Sequence, residues 1–476
     1  MRLSARLLAA SAVALSLAAP AFAQDAQTVE RAIRIRDAAM TENIALDYVT
    51  QLTTRFGARP AGSKSEQDAA AWAAGYMREH GFQNVRIEEF PLVGWERGEE
   101  SASIVGARPQ RLVIAALGHS PGTNGVIEAE VVRFDSLEAL NAAPAGSLAG
   151  KIAYVDAGQM SPMQDGSGYG PLTRIRGAGP GAAAAKGAAA FIMRSVGSDE
   201  HRMPHTGTTR YVDGVVPLPG FALSAPDADQ VSRLIKMGET VRIRLSSTAH
   251  TYQTVSQNVV GDIPGRSRPN EVIVLGSHMD SWDLGTGAID DGAGGAITLG
   301  AAKAIAESGR RPARTVRVVL YGSEEVAQPT NTGNGGGAYL RGIGAAVESH
   351  IIAGESDFGA DRVYALRLPQ GAQNTDFARA AGRVLYPIGV LSSAVPETEG
   401  GADVGPLAEA GVPVFGLNQD GTRYFDLHHT ADDTLDKIDP AQLNQNVAAW
   451  AGLVWLIADS DVDFRAMRSA APAPAR

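Results

Sequence analysis

The sequence contains no cysteine. That absence excludes disulfide bridges, thiolate nucleophiles, cysteine zinc sites and a lipid-modified N-terminal cysteine. Any metal centre must therefore be built from carboxylates and from the nine histidines. Basic residues are in deficit as well: 42 Lys and Arg stand against 52 Asp and Glu, a formal net charge of −10. Such a chain is a poor partner for polyanions, so nucleic acid is not expected as a ligand. Long apolar runs are scarce, and the informative one is at the start. Arg2 and Arg6 flank or precede Leu7–Pro20, and Ala21-Phe22-Ala23 stands before Gln24. A basic end, a short apolar stretch and an A-x-A site read as a cleavable signal peptide over 1–23, not as a spanning helix. The expectation is an exported protein, periplasmic or extracellular, with no membrane attachment after cleavage.

The 476 residues, 44% of them hydrophobic, are enough for two cores without covalent staples. Residues 24–108 open with helical sequence. Ser63-Lys64-Ser65-Glu66 reads as a capping box before an amphipathic run bearing Ala69, Trp72 and Tyr76, with Gly81 as its stop. Residues 109–252 differ: short strand-like runs at 112–117, 126–132 and 151–155 lie among many Gly, Pro and Ala residues, and an Ala-rich helix is expected over 181–190. This stretch reads as an inserted unit, because the clusters of polar residues resume only after Gln257. From 253 to 462 the rhythm is βα, with strands over 271–276, 314–321, 347–353 and 412–417 and a small-residue helix over 292–308. The alternation predicts an α/β fold with a mixed, mostly parallel sheet flanked by helices. In such sheets ligands sit beyond the carboxyl ends of the strands. The tail, 463–476, carries Ala-Pro repeats and is expected to be disordered.

Five polar clusters fall at such strand ends. His278 follows an apolar strand, with Asp280 two residues on; a histidine there can bind zinc through one ring nitrogen while a carboxylate takes the proton of the other. Asp290-Asp291 stands before Gly292, Gly294 and Gly295, which open a helix whose backbone must pass close to the site. Glu324-Glu325 offers two neighbouring carboxylates, of which one can bind metal and the other serve as general base. Glu355-Ser356-Asp357 and His428-His429 complete the set; either histidine could ligate, and Asp433 is a candidate partner for the one that does. Each cluster alone is ordinary surface chemistry. Burying so many acids together would be very costly without a dication.

In this order, the clusters resemble those of the M28 zinc peptidases, and within them a carboxypeptidase branch. The likeness extends to Pro204-His205-Thr206-Gly207 and Pro217-Leu218-Pro219, so the middle segment resembles the protease-associated (PA) domain carried by these enzymes. The resemblance implies a phosphorylase/hydrolase-like zinc exopeptidase fold holding two Zn2+ ions. It implies that Asp290 bridges them, that His278 and Asp357 complete one site, and that Glu325 and His429 complete the other. It implies Glu324 as general base, Asp280 as the group orienting His278, and His428 as a contact to substrate or oxyanion. It further implies a short-peptide substrate, with carboxypeptidase or dipeptidase action favoured over aminopeptidase action, and it allows a homodimer. One departure stands out: Val326 to Gly337 is a longer stretch than the family usually has, and is expected to rim the pocket.

Three rivals are weaker. Gly118-His119-Ser120-Pro121-Gly122 matches the G-x-S-x-G of serine hydrolases, but that motif needs a helix next, and Pro121 to Gly125 reads as a turn. A non-catalytic binding protein would have no need for the complete set of ligands together with Glu324. A one-zinc cyclase would not need both ligand sets. Which peptide end is read stays open: Arg210, Arg341 and Arg423 are candidates for a carboxylate, Glu355 for an ammonium group.

Overall fold

The structure is a computed structural model and describes residues 26–211, 214–326 and 333–467. The expected signal peptide and residues 468–476 of the expected tail lie outside this range. The described part of that tail, 463–467, is ordered. Phe464 is fully buried edge-on against Phe377, and Arg465 donates to the carbonyls of Val347 and His350 at 3.0 and 2.9 Å.

A five-stranded sheet organises the molecule. Its strands run, in spatial order, Gln83–Glu96, His250–Ile263, Arg314–Tyr321, Arg268–His278 and His350–Glu355. The last three are parallel to one another, while the first two form an antiparallel ribbon that joins them through an antiparallel edge. The sheet is mixed as expected, but it is not mostly parallel, because the two kinds of pairing are equal in number. The reason is topological. The chain leaves the sheet along Gln83–Glu96 and returns beside it along His250–Ile263, which requires opposite directions.

The side chains of these strands alternate between two apolar faces. Ile273, Leu275, Val316, Val318 and Leu320 meet the helices Ala293–Ala306 and Pro440–Asp459. Val272, Val274, Val319 and Tyr321 meet Gly335–Ile343 and Gly405–Glu409. Burial on both sides explains why these strands are apolar without interruption. Trp450 and Trp455 on the long C-terminal helix are completely buried; truncating either to Ala should cost about 3–5 kcal/mol.

Between the two ribbon strands, residues 100–247 carry an eight-stranded sheet of their own. The strand Glu100–Ile104, which the sequence reading leaves upstream of 109, pairs here with Arg242–Ser247. His250 to Tyr252 belong instead to the ribbon. The Ala-rich helix starts at Tyr169, well before 181, and ends at Ala185. Its glycines and Pro180 disguise it in the sequence. Gly179 is there for packing: a Cβ would sit 2.4 Å from the Phe191 ring on the strand beneath.

The stretch from Val326 to Gly337 is not wholly a loop. Gly335–Ile343 is a helix, capped by Asn334, whose side chain accepts from the Gly337 N–H. Gly336 lets this turn approach Asp403, whose carbonyl oxygen a Cβ would meet at 2.0 Å. Residues 327–332 lie outside the described range.

Candidate metal centre

The three parallel strands deliver their polar residues to one place. His278 and Glu355 are the last residues of two of them, and Glu324-Glu325 follows the third after a turn through Ser323. Asp290 stands on an irregular turn before the helix Ala293–Ala306, joined to Asp291 by a cis peptide bond. Gly294 makes that turn sterically feasible, since a Cβ would fall 2.0 Å from the Ser356 carbonyl oxygen. His428 and His429 arrive from a short helical turn near the C-terminus.

Asp290 is the common member. Its Oδ1 lies 3.1 Å from His278 Nε2, which is 3.4 Å from Asp357 Oδ1. Its Oδ2 lies 3.2 Å from His429 Nε2, which is 2.8 Å from Glu325 Oε2. Two groups that share Asp290, His278/Asp290/Asp357 and Asp290/Glu325/His429, each place their donor atoms within 4.8 Å of one another, as does a third without a carboxylate, His205/His428/His429.

The surrounding hydrogen bonds aim these side chains. His278 Nδ1 is 2.9 Å from the Asp280 carbonyl oxygen and 3.5 Å from its carboxylate, so the backbone is its nearer partner. The Asp280 carboxylate accepts instead from the Glu324 and Glu325 N–H groups, at 3.1 and 3.2 Å, and so sets the turn that presents both glutamates. His429 Nδ1 faces the Thr206 carbonyl oxygen at 3.3 Å. In both rings a carbonyl holds the proton on Nδ1 and leaves Nε2 as a lone pair. Asp433 is not the partner of His429. It accepts from the Ile289 and Asp290 N–H groups, at 2.6 and 3.2 Å, and anchors the turn that carries Asp290. His428 is built differently from the other two: its Nδ1 meets His205 Nε2 at 3.0 Å, and its Nε2 lies 3.2 Å from Asp290 Oδ2.

The electrostatics are those of a site short of positive charge. Burial first, then neighbouring acids such as Asp357, push the carboxyls of Glu324 and Glu355 up to about 8. Burial also raises Glu325, Asp357 and Asp403. Arg59 is fully buried nearby but gives its N–H groups to the carbonyls of Gly57, Met279, Thr286 and Gly287. Asp290 Oδ2 and Glu325 Oε1 are buried and accept no hydrogen bond. Buried acceptors left in this state cost free energy that a cation removes. The donor set, imidazole Nε2 and carboxylate oxygen without thiolate, fits zinc with three protein ligands and an open position in each group.

A cavity of about 320 Å³ opens over these atoms, lined by Asp290, Glu324, Glu325, Asp357, His428 and His429. Its opposite wall comes from the 100–247 segment: Tyr169, Arg176, Thr208 and Arg210. A neighbouring cavity of about 200 Å³ shares Asp357 and Phe358 and holds Glu355. Of the arginines singled out in the sequence, only Arg210 reaches the main cavity; Arg423 is paired with Asp361 at 2.6 Å. Arg176 was not singled out. Its signal was Gly207 of the Pro-His-Thr-Gly run, where a Cβ would collide with the guanidinium at 2.1 Å. Ser120 lies apart from this chemistry: it is buried, donates to the Leu117 carbonyl at 2.6 Å, and is followed by another strand instead of a helix.

Known proteins resemble this chain in sequence and in fold. Residues 258–454 match the model of Peptidase family M28. Carboxypeptidase Q of Mus musculus is 34% identical over 428 residues, covering 88% of this chain and 87% of that protein. The crystal structure of a peptidase M28 precursor from Shewanella amazonensis superposes with a TM-score of 0.88 at 41% identity, covering 94% of this chain and 99% of that one. A zinc aminopeptidase from Bacillus subtilis shares the fold, with a TM-score of 0.62 at 18% identity over 88% of this chain and 96% of that one.

Proposed function

The chain belongs to peptidase family M28 and is a zinc metallopeptidase, and from that premise we propose that it is an exported two-zinc exopeptidase that hydrolyses dipeptides or short peptides beside a free C-terminal carboxylate. The observation that carries this reading is Asp290, one carboxylate shared by two ligand groups under a single cavity. His278 and Asp357 would hold one ion with Asp290, and Glu325 and His429 the other. Bound there, zinc supplies Lewis acidity and lowers the pKa of water. Glu324 lines the cavity without belonging to either ligand group, and would take a proton from the attacking water and pass it to the leaving amine. Asp280 holds Glu324 in position through its backbone. His428 faces the cavity beside Asp290 as a hydrogen-bond donor to the scissile carbonyl oxygen.

The C-terminal preference rests on the opposite wall. Arg176 and Arg210 offer guanidinium groups to a carboxylate, the pairing with the best planar match. Carboxypeptidase Q, the relative from Mus musculus, bears a name that agrees. The aminopeptidase reading draws on Glu355 in the adjoining cavity, where an α-ammonium group would find a partner. The segment 100–247 is read as a PA-like inserted domain whose contribution here is that arginine wall. A panel of free dipeptides, N-blocked dipeptides and aminoacyl-anilides tests the proposal with the zinc-loaded enzyme. Cleavage of both dipeptide classes supports it, and cleavage of anilides alone overturns it in favour of an aminopeptidase.

A further inference from the structure

His205 belongs to the 100–247 segment yet is buried among the histidines of the metal centre, with 1% of its surface exposed. Its Nε2 meets His428 Nδ1 at 3.0 Å. Its backbone N–H donates to Ser195 Oγ at 2.8 Å, which fixes the loop that carries it. The rings around it are closely packed. His428 stacks on His429 with centroids 3.5 Å apart, and Tyr169 meets His428 edge-on at 5.2 Å. Gly197 keeps the seam tight: a Cβ there would lie 2.7 Å from the Phe425 carbonyl oxygen and 3.2 Å from the His205 ring.

The two directions of the His205–His428 hydrogen bond are not equivalent, because one strands a buried N–H at His205 Nδ1 and the other only a buried lone pair, the rarer and costlier defect being the N–H. If His428 Nδ1 donated, His205 Nε2 would be the acceptor and its Nδ1 would carry the proton. That Nδ1 is buried and has no partner, so an N–H would be stranded there. His428 Nε2 would at the same time be a bare lone pair 3.2 Å from the Asp290 carboxylate. If His205 Nε2 donates, its Nδ1 needs no hydrogen, and His428 Nε2 must carry one. That N–H then sits at the cavity wall, 3.2 Å from Asp290 Oδ2.

We infer that His205 is a positioning residue supplied by the 100–247 segment, which holds His428 in the Nε2–H tautomer and makes it a fixed donor toward the substrate's carbonyl oxygen. The inference rests on the exopeptidase reading of the site. It explains why the two adjacent histidines differ. His429 has a carbonyl behind it and a free Nε2 lone pair, as a ligand requires. His428 has an N–H donor behind it and therefore an N–H in front.

The test uses zinc-loaded full-length enzyme and a cleaved free dipeptide. Imidazole 15N NMR, with His428 assigned by its loss in His428→Gln, should show the Nε2–H tautomer. His205→Leu should lower kcat about 10–100-fold, as loss of a group orienting a catalytic side chain does, with KM changed less than about threefold and zinc content unchanged. His205→Gln, whose amide N–H can donate to the same nitrogen, should recover most of that kcat. The double variant His205→Leu/His428→Leu should be no slower than His428→Leu alone, because the two residues act as one unit. A proton on His428 Nδ1, zinc on its Nε2, a glutamine variant as slow as the leucine one, or additive losses would overturn the inference. Should His205→Leu fail to fold, the wild-type tautomer decides. Failure of the wild-type enzyme on every peptide would sink the functional reading and leave the tautomer measurement standing as its own test.

Discussion

The two halves of the molecule bury acids in opposite ways. In the 100–247 sheet, Asp156 is 6% exposed and lies 2.6 Å from Arg194 Nε, with Ser232 donating to its other oxygen. Burial, which alone would raise it, is outweighed by these partners, and its carboxyl is held down at about 2. At the carboxyl ends of the central strands, Glu324, Glu325, Glu355, Asp357 and Asp403 gather with imidazoles and backbone N–H groups, and burial drives them upward. One region contains its own counterions. The other is complete only with a cation from outside, and that difference separates a structural acid from a functional one more sharply than burial does.

Substitutions should break this contrast if it is wrong. The largest effect is expected at Glu324. Glu324→Gln should lower kcat on the order of 10²- to 10⁴-fold while zinc content, measured by inductively coupled plasma mass spectrometry, stays as in wild type. A loss of zinc would instead make Glu324 a ligand. Next comes stability. Asp156→Asn removes one of the two carboxylates on Arg194, which is only 8% exposed and keeps Asp229, and chemical denaturation should register a cost of about 1.5–3 kcal/mol. Glu355→Gln in chelated protein exchanges a carboxyl that burial already pushes up to about 8 for a neutral amide, and its melting temperature should rise or move by less than about 2 °C. Equal losses for the two variants would erase the contrast.

Arg176 sharpens the comparison, because it is a cation on the wall facing the acids that keeps its Nε without a partner. Arg176→Gln should raise KM for free dipeptides about 10-fold or more and leave C-terminally amidated peptides within about threefold, since only the former lose a charge-assisted bond. The smallest effect is the pH dependence of stability, and its sign differs between the regions. Asp156 has a folded pKa of about 2 against 3.8 unfolded, so its contribution is present above pH 3.8 and is lost as pH falls through 2; screening by solvent leaves about 1 kcal/mol of it. Asp433, pushed up to about 7 first by burial and then by Asp290, behaves oppositely in metal-stripped protein. Its contribution is present below pH 3.8 and is lost as pH rises through 7. The stability difference between chelated wild type and chelated Asp433→Asn should therefore fall as pH rises from 4 to 8, the buried histidines being common to both; a flat or rising difference would count against the acid-rich site.

What could be read from the sequence follows from how local each signal is. His278 terminates an apolar strand, Glu325 follows another by a short turn and Asp290 precedes a helix of small residues, so each polar residue stood out against its immediate neighbours. The roles of Asp280 and Asp433 were harder to read, because each carboxylate bonds to backbone N–H groups that carry no mark in the sequence. The roles of Arg176 and His205 were hidden for a different reason. These residues sit on a helix and a loop of the 100–247 segment and arrive at the site only through the tertiary fold, across the seam where the Thr206 N–H donates to the His429 carbonyl. The antiparallel ribbon was equally hidden, since pairing of Phe90 with Ser256 joins residues far apart along the chain.

The proposed chemistry depends on Asp290 serving two ions at once. Zinc per chain should therefore be counted in purified protein by inductively coupled plasma mass spectrometry after dialysis, for wild type and for Asp357→Asn, Glu325→Gln and Asp290→Asn, each first checked for native folding by circular dichroism. The expected counts are about two for wild type, about one for each of the single-site variants, and close to zero for Asp290→Asn, in keeping with three protein ligands per zinc and one shared. An Asp290→Asn protein that folds and retains both ions would contradict the account.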